Sequence, residues 1–325
     1  MKRIAIVAGG DSPEWVISVQ GAELFKIWLD KNIFEGVVVQ VRGTEWVAND
    51  EGQKLPIDKN DFSYTFHGKK NNFDCALINI HGTPGENGLL QSYFELLHIP
   101  YTSCGVLCSA LTFNKQVCKT YLQNIGIKSA RGILIRKNES FDESEIINQL
   151  SLPCFVKPNK SGSSVGVSKV NDLKDLKIAI HKAFVEDDEV LIEEFIQGTE
   201  ITNGVLTLRG KEIIFPITEI VSSNEFFDYE AKYTSGKSND ITPARISNEF
   251  EKSVKSNSSR IYKALNCKGI VRIDYIIHGN DIYFLEVNTI PGMSPNSIIP
   301  QQIQAMGLTV TQVYTDIINA VTSTN

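Results

Sequence analysis

FLEVNTIPGM, residues 284–293, is a run of strand formers that carries Glu286 and Asn288 two positions apart and stops at Pro291-Gly292. Side chains two apart on a strand share a face, so a carboxylate and a carboxamide are aimed at one place. Just upstream, VRIDYII and IYFLEVN flank HGND, a turn signal that predicts an antiparallel hairpin. A three-residue loop, Gly279-Asn280-Asp281, would set Asp274 opposite Glu286 and Arg272 opposite Asn288. One face then carries Arg272, Asp274, Glu286 and Asn288. The other carries Ile273, Tyr275, Leu285 and Val287 and suits a core. Two readings stand: a solvated face with an incidental Arg–Asp pair, or an oxygen-rich metal site. Adjacent carboxylates repel unless a cation intervenes. Oxygen donors without Cys or His suit Mg²⁺ or Mn²⁺.

Outward from the hairpin, the texture is mixed. The chain's 325 residues exceed what one core usually organises, so two or three domains are expected. RIAIVAGG, GVVVQVR and CALINIHG read as strands, and SVQGAELFKIWLDKN and GLLQSYFELLHI as helices. That alternation predicts a parallel sheet covered on both faces, with ligand-facing residues at the strands' carboxyl ends. SALTFNKQVCKTYLQNI reads as one helix. Short strands follow from about 130 to 220, interrupted by helices near 142–150 and 172–185. Further helices are expected near 247–265 and 308–322. The texture divides the chain into an α/β domain over 1–103, an α+β domain over 104–191 and a larger α+β domain over 192–325.

Charge and cysteine usage narrow the function classes. The formal net charge is −6, so no basic field argues for nucleic acid or an anionic membrane surface. No run of about 18 apolar residues exists, so no spanning helix is expected. The apolar start breaks at Gly9-Gly10 and meets Asp11, and so reads as a first strand and turn, not a signal peptide. The six cysteines read as free thiols, and a cytoplasmic location follows. Cys104 and Cys108 have a loosely metal-like spacing. Neither a second close pair nor a His cluster accompanies them, so a zinc site is not expected there.

Three other stretches carry chemistry. FVKPNKSGSSVGVSKV, residues 155–170, puts lysines around a small donor-rich loop that could cradle an anion, although on this stretch alone a plain Gly/Ser hairpin is the better reading. It is not a Walker A loop. VLIEEFIQGTE, residues 190–200, carries Glu193, Glu194 and Glu200 at a strand-to-loop switch. DYEAKYTSG, residues 228–236, is a polar and aromatic loop that could act as a lid or be a surface connection.

In their order along the chain, these pieces resemble the D-alanine–D-alanine ligase family of the ATP-grasp superfamily. The resemblance spans nearly the whole chain. GGDSPEWVIS looks like the family's GG-x-S-x-E-x-x-[VI]-S, HGTPGENGLLQ like its HG-x-x-GEDG-x-x-Q, and YTSCGVLCSALTFNK like its YTG-x-G-…-SAL-x-MDK. VKPNKSGSSVGVSKV, FFDYEAKY, VRID and EVNTIPGM follow. Asn87, Phe113 and Asn114 depart from the pattern, as does Ile298, where Leu is frequent.

The resemblance implies a three-domain ATP-grasp architecture with an N-terminal parallel-sheet domain and a lid over 228–245. It implies ligation of two D-alanines with ATP and two Mg²⁺ or Mn²⁺ ions, by way of an acyl phosphate, for peptidoglycan precursors. Lys115 and Lys157 would contact the phosphates, with Ser161, Gly162, Ser163 and Ser164 closing over them and Lys232 reaching the γ-phosphate. Glu193, the backbone near Glu194 and Ile196, and Glu200 would hold adenine and ribose. Asp274, Glu286 and Asn288 would be the metal ligands. Glu14 and His81 would meet the first D-alanine, and Glu14, Ser163 and Tyr233 would form a triad closing the lid. Arg272 and the Gly292 N–H would stabilise the oxyanion, and Ser297 with the Ile298 backbone would hold the second D-alanine. Tyr233 argues against a ligase that joins D-alanine to D-lactate. A homodimer is expected, without nucleic-acid or membrane partners.

Overall fold

The computed structural model describes residues 1–162, 165–222 and 238–323. Ser163, Ser164, Lys232, Tyr233 and most of the expected lid lie outside the described residues.

Among the described residues, three sheets organise the chain. The first contains β1 (Lys2–Gly9), β2 (Phe34–Arg42), β3 (Glu45–Asp50), β4 (Gln53–Asp58), β5 (Ser63–Phe66), β6 (Lys69–Asn71) and β7 (Cys75–Ile78), in the order β6-β5-β4-β3-β2-β1-β7. Only β2, β1 and β7 run parallel. β3 to β6, which the sequence reading does not name, extend this parallel core as antiparallel hairpins. Two of those hairpins turn on Glu51-Gly52 and His67-Gly68, with positive φ at both residues of each turn. Such a backbone closes a two-residue hairpin and suits glycine. β1 is buried throughout from Ile4 to Ala8, as a strand covered on both faces must be. Ile4, Ile6 and Ala8 face Phe25 of the helix Trp15–Trp28 and Ile317 of the helix Val310–Thr322. Ala5 and Val7 face Phe62 and Phe94.

The second sheet is antiparallel, with β8 (Gly132–Arg136), β9 (Cys154–Pro158), β10 (Ser168–Val170) and β11 (Glu189–Glu194) in the order β10-β9-β11-β8. The helices Glu143–Leu150 and Leu173–Ala183 cover it. The third contains β12 (Thr199–Leu208), β13 (Lys211–Ser222), β14 (Ser238–Ile241), β15 (Ile270–His278) and β16 (Asp281–Asn288), in the order β14-β13-β12-β15-β16. β14 pairs with β13 and lies within the stretch 228–245 expected to form the lid.

The helix expected across SALTFNKQVCKTYLQNI is two helices, Val106–Phe113 and Lys115–Gln123, broken at Asn114. Asn114 is the reason: its backbone is extended and its Oδ1 accepts from the Val117 N–H at 3.0 Å, an N-cap that starts a new helix. Cys108, Cys118 and Leu122 of this pair pack into the core of the third sheet with Val205, Ile273 and Phe284.

Candidate active site

The β15–β16 hairpin pairs Asp274 with Glu286 and Arg272 with Asn288. Its turn differs from the expectation. His278 pairs with Asp281, so the loop is Gly279-Asn280, one residue shorter, and a bulge between Asp274 and Tyr275 restores the register. The bulge skips Leu285. Phe284 therefore takes the buried place opposite Tyr275, while Leu285, predicted for the core face, lines a cavity. Bulges re-aim a side chain in this way beside functional sites.

That cavity, of about 520 Å³, opens between the second and third sheets. Lys115, Lys157, Ser161 and Gly162 line one part, Asp274 and Glu286 another, and Glu193, Glu194, Ile196 and Glu200 a third. Ten predicted site residues, scattered over 172 positions of sequence from Lys115 to Glu286, thus share one hollow. A second, small cavity shares Lys115, Ser161, Gly162 and Glu286 with the first and adds Glu86 and Asn288.

Asp274 is nearly fully buried and saturated with donors. Arg272 donates to both of its oxygens at 2.9 Å, Asn288 Nδ2 donates at 3.0 Å, and Thr202 Oγ1 donates to Oδ1. Glu286 lies 4.0 Å from the Lys115 ammonium. Asn288 uses its amide N–H on Asp274, which leaves its carbonyl oxygen as the donor to a cation. Two carboxylates and one carboxamide oxygen on one face are a hard, all-oxygen set that fits Mg²⁺ or Mn²⁺.

Glu193 lines the cavity and also carries a load that the sequence does not announce. It is buried, and both Lys119 and Lys157 form ion pairs with it. Burial pushes its carboxyl up, but Lys157 and Lys119 outweigh burial and hold it down at about 2. Burial lowers the Lys119 ammonium against the pull of Glu193. With the carboxylate held so low, the group stays ionised at neutral pH. Glu193 therefore fixes Lys157 beside the cavity. Lys119, which also donates to the Ala130 carbonyl at 2.7 Å, went unnoticed in the sequence. Its signal was only a lysine one turn beyond Lys115. The Glu194 carboxylate is taken by Arg131, through its backbone N–H at 2.8 Å and its Nε at 2.7 Å. The Glu194 backbone N–H in turn donates to the Arg131 carbonyl at 3.1 Å, which closes the pair on both sides.

The apolar lining also went unpredicted. Phe155, Ile276 and Leu285 face the cavity, and Lys169 Nζ stands 4.7 Å from the centre of the Phe195 ring. A flat heterocycle suits such walls. Asn114, which departs from the family pattern, is fully engaged in hydrogen bonds. Besides its cap, Oδ1 accepts from Asn159 Nδ2 at 2.9 Å, and Asn159 Oδ1 holds the Gln116 N–H at 2.9 Å. Asn87 bonds Thr83 within its own turn, at 3.1 Å.

The amino-terminal module reaches the same place. Glu14 is buried, and a methyl on Gly162 would stand 3.1 Å from Glu14 Oε2. Glu86, also absent from the predicted set, accepts from the Gly82 N–H at 2.7 Å. Burial raises its carboxyl, His81 and the Gly82 N–H oppose that, and Glu14 and Glu286 push it further up. His81 is itself buried. Gly292, Ser297 and Ile298 line neither of these two cavities. They form their own corner: a methyl on Gly292 would lie 3.3 Å from Ser297 Oγ, which shares a 2.7 Å hydrogen bond with Ser294 Oγ, and Ile298 is buried at a helix start.

A lysine-lined hollow with a carboxylate pair, set between two antiparallel sheets and beside an amino-terminal third, is the arrangement of an ATP-grasp ligase. Residues 3–104 match the sequence model of the D-ala D-ala ligase N-terminus, and residues 121–319 that of the D-ala D-ala ligase C-terminus. The D-alanine–D-alanine ligase of Phocaeicola vulgatus is 52% identical over 321 residues, 98% of this chain and 99% of that one. Among solved structures, D-alanyl-alanine synthetase A from Vibrio cholerae superposes with a TM-score of 0.89 at 26% identity, covering 99% of this chain and 98% of that one. VanG D-Ala:D-Ser ligase from Enterococcus faecalis superposes with a TM-score of 0.84 at 31% identity, covering 98% and 99%. The chain belongs to the D-alanine–D-alanine ligase family.

Proposed function

We propose that this enzyme joins two D-alanines, with ATP converted to ADP and phosphate, and that the dipeptide serves peptidoglycan precursor synthesis in the cytoplasm. The observation that carries the reading is the meeting of Asp274, Glu286, Lys115 and Lys157 in one cavity beside Asn288. Asp274, Glu286 and Asn288 would hold two Mg²⁺ or Mn²⁺ ions, which supply Lewis-acid neutralisation of phosphoryl charge.

The chain's own groups account for the remaining steps. Phe155, Ile276 and Leu285 would wall adenine, with the backbone near Glu194 and Ile196 reading its edge and Glu200 taking ribose. Lys115 and Lys157 would hold the phosphates, Lys157 being preset by Glu193. Lys232, outside the described residues, would reach the γ-phosphate. Ser161 and Gly162 would close over the phosphates, together with Ser163 and Ser164. Glu14 and His81 would orient the first D-alanine so that its carboxylate takes the phosphoryl group. Ser297 and the Ile298 backbone would hold the second, whose amine attacks the acyl phosphate as phosphate leaves. Arg272 and the Gly292 N–H would stabilise the oxyanion. Positioning and electrostatics supply most of the catalysis in such a transfer. The acyl phosphate must be kept from water, which gives the segment around Lys232 and Tyr233 its role as a lid.

The test is ADP and phosphate release with D-alanine, L-alanine, D-lactate and D-serine offered in turn. Release with D-alanine alone supports the reading. Release only when D-serine or D-lactate joins D-alanine would replace it with a mixed ligase. A homodimer in solution is proposed as well, and sedimentation velocity reads it directly.

A further inference from the structure

Away from the proposed active site, three cysteines from distant parts of the chain converge. Cys104 precedes the helix Val106–Phe113, Cys108 sits in that helix, and Cys267 lies in the link between the helix Asn248–Ala264 and β15. All three are buried, and their Sγ atoms lie within 4.8 Å of one another. The Cys108 and Cys267 sulfurs are 3.6 Å apart. We propose that Cys104, Cys108 and Cys267 form a binding site for a thiophilic d¹⁰ cation, Zn²⁺ in the first instance.

The geometry supports a metal. A tetrahedral site with metal–sulfur bonds of about 2.3 Å has sulfurs roughly 3.8 Å apart. The Cys108–Cys267 pair already has that spacing, and Cys104 needs to move by less than about 1 Å to join it. A disulfide needs its two sulfurs at about 2.05 Å, much closer than they stand. The supporting shell is rigid. The Lys268 N–H reaches Cys104 Sγ at 3.4 Å, and the Cys104 carbonyl accepts from Ser109 Oγ at 3.2 Å. Gly269 has φ +65°, and a methyl there would fall 2.2 Å from the Thr102 carbonyl oxygen. The link that carries Cys267 is thus pressed on the segment that carries Cys104. Tyr262 OH donates to the Gly269 carbonyl at 2.8 Å and fixes the link from its other side.

Among the described residues no fourth Cys, His or carboxylate joins the group. A cavity of about 710 Å³ reaches Cys267, between Tyr101, Tyr262 and Lys268. Through Cys267 it would offer an entry path and a place for a water as fourth ligand, the pattern of three protein ligands with one open position. On binding, the three thiols release their protons to solvent and the thiolates bond the metal. The bound ion would staple the start of the Val106–Phe113 helix to the base of β15, the strand that carries Arg272 and Asp274. This site stands independently of the ligase reading.

The test uses the untagged full chain, stripped with a chelator and kept reduced. Cd²⁺ alone, added stepwise, should produce the ultraviolet charge-transfer band of thiolate coordination, saturating at one equivalent with the intensity of three thiolates. Zn²⁺ alone should compete for the same site and raise the thermal unfolding midpoint by several degrees. C104A, C108A and C267A should each weaken binding at least tenfold, whereas C75A and C154A should leave it unchanged. If a variant fails to fold, the intensity of the wild-type band still counts the sulfurs. No band in the wild type, a band of one thiolate, or a band that persists in the triple variant overturns the proposal.

Discussion

Asp274 stands directly opposite Glu286 across the β15–β16 hairpin, although the turn joining the strands is one residue shorter than that pairing needs. The bulge at Leu285 supplies the missing residue. One irregularity thereby keeps two carboxylates on a shared face and turns an apolar side chain into the neighbouring cavity.

The first expected outcome concerns charge. Glu286→Gln keeps shape and hydrogen-bonding capacity but removes one negative charge from the proposed ligand set. The protein should fold with an unchanged unfolding midpoint, and ligase turnover should fall by about 100-fold or more, the loss of several kcal/mol of phosphoryl stabilisation. Coupled ADP release in saturating Mg²⁺ measures it. Near-wild-type turnover would remove Glu286 from the metal site.

Leu285 yields a separate outcome. Leu285→Ala withdraws apolar wall from the larger cavity without touching a charged group. The lost contact, on the order of 1–2 kcal/mol, should raise the KM for ATP roughly five- to thirtyfold while kcat changes little. Calorimetry with a non-hydrolysable ATP analogue should show the same weakening. An unchanged affinity would mean that adenine binds elsewhere.

These two residues show where sequence reading succeeds and where it stops. Alternation along VRIDYII and IYFLEVN is enough to place Asp274, Glu286 and Asn288 together, because period two is a property of any strand. The bulge leaves no local mark, so Leu285 and Phe284 were exchanged. Lys119 and Glu86 are silent in the sequence for another reason: a buried ion pair and a buried carboxyl arise only when distant segments meet. The hairpins over 45–71 leave little trace in the sequence because their strands are short and partly polar. The helix break at Asn114 was legible in principle, since Asn is a strong N-cap, but apolar periodicity runs through it.

Acid should expose the role of Glu193. Its carboxyl is held at about 2, below the usual 4.5, so it contributes stability above pH 4.5 that is lost as pH falls toward 2. That depression corresponds to at most about 3 kcal/mol, reduced by the cost of burying the Lys119 charge. Glu193→Gln should therefore destabilise the protein by a few kcal/mol at pH 7. The gap from wild type should narrow steadily in urea titrations carried from pH 5 to pH 3. Adding Lys119→Met should restore part of the loss, because an unpaired buried ammonium has then been removed. A gap that stays constant with pH would show that Glu193 matters only for packing.

Gly292 offers the sharpest test of the acceptor end. Its φ is not in the left-handed region, so alanine meets no backbone strain there. The added methyl would stand 3.3 Å from Ser297 Oγ, closer than ordinary contact, and Ser297 must yield by a few tenths of an ångström. Ser297 Oγ is held by a 2.7 Å hydrogen bond with Ser294 Oγ that such a shift would disturb. If Ser297 holds the carboxylate of the second D-alanine, the shift misplaces that substrate and leaves the nucleotide site untouched. Gly292→Ala should then raise the KM for the second D-alanine by about tenfold, equivalent to roughly 1.4 kcal/mol. The KM for ATP and the unfolding midpoint should stay at wild-type values. Initial rates over a wide D-alanine range separate the two amino-acid steps, and Ser297→Ala provides the comparison. A Gly292→Ala enzyme with wild-type acceptor KM, set beside a severe Ser297→Ala defect, would show that the methyl never reaches Ser297. Silence in both variants would move the acceptor site away from this corner altogether.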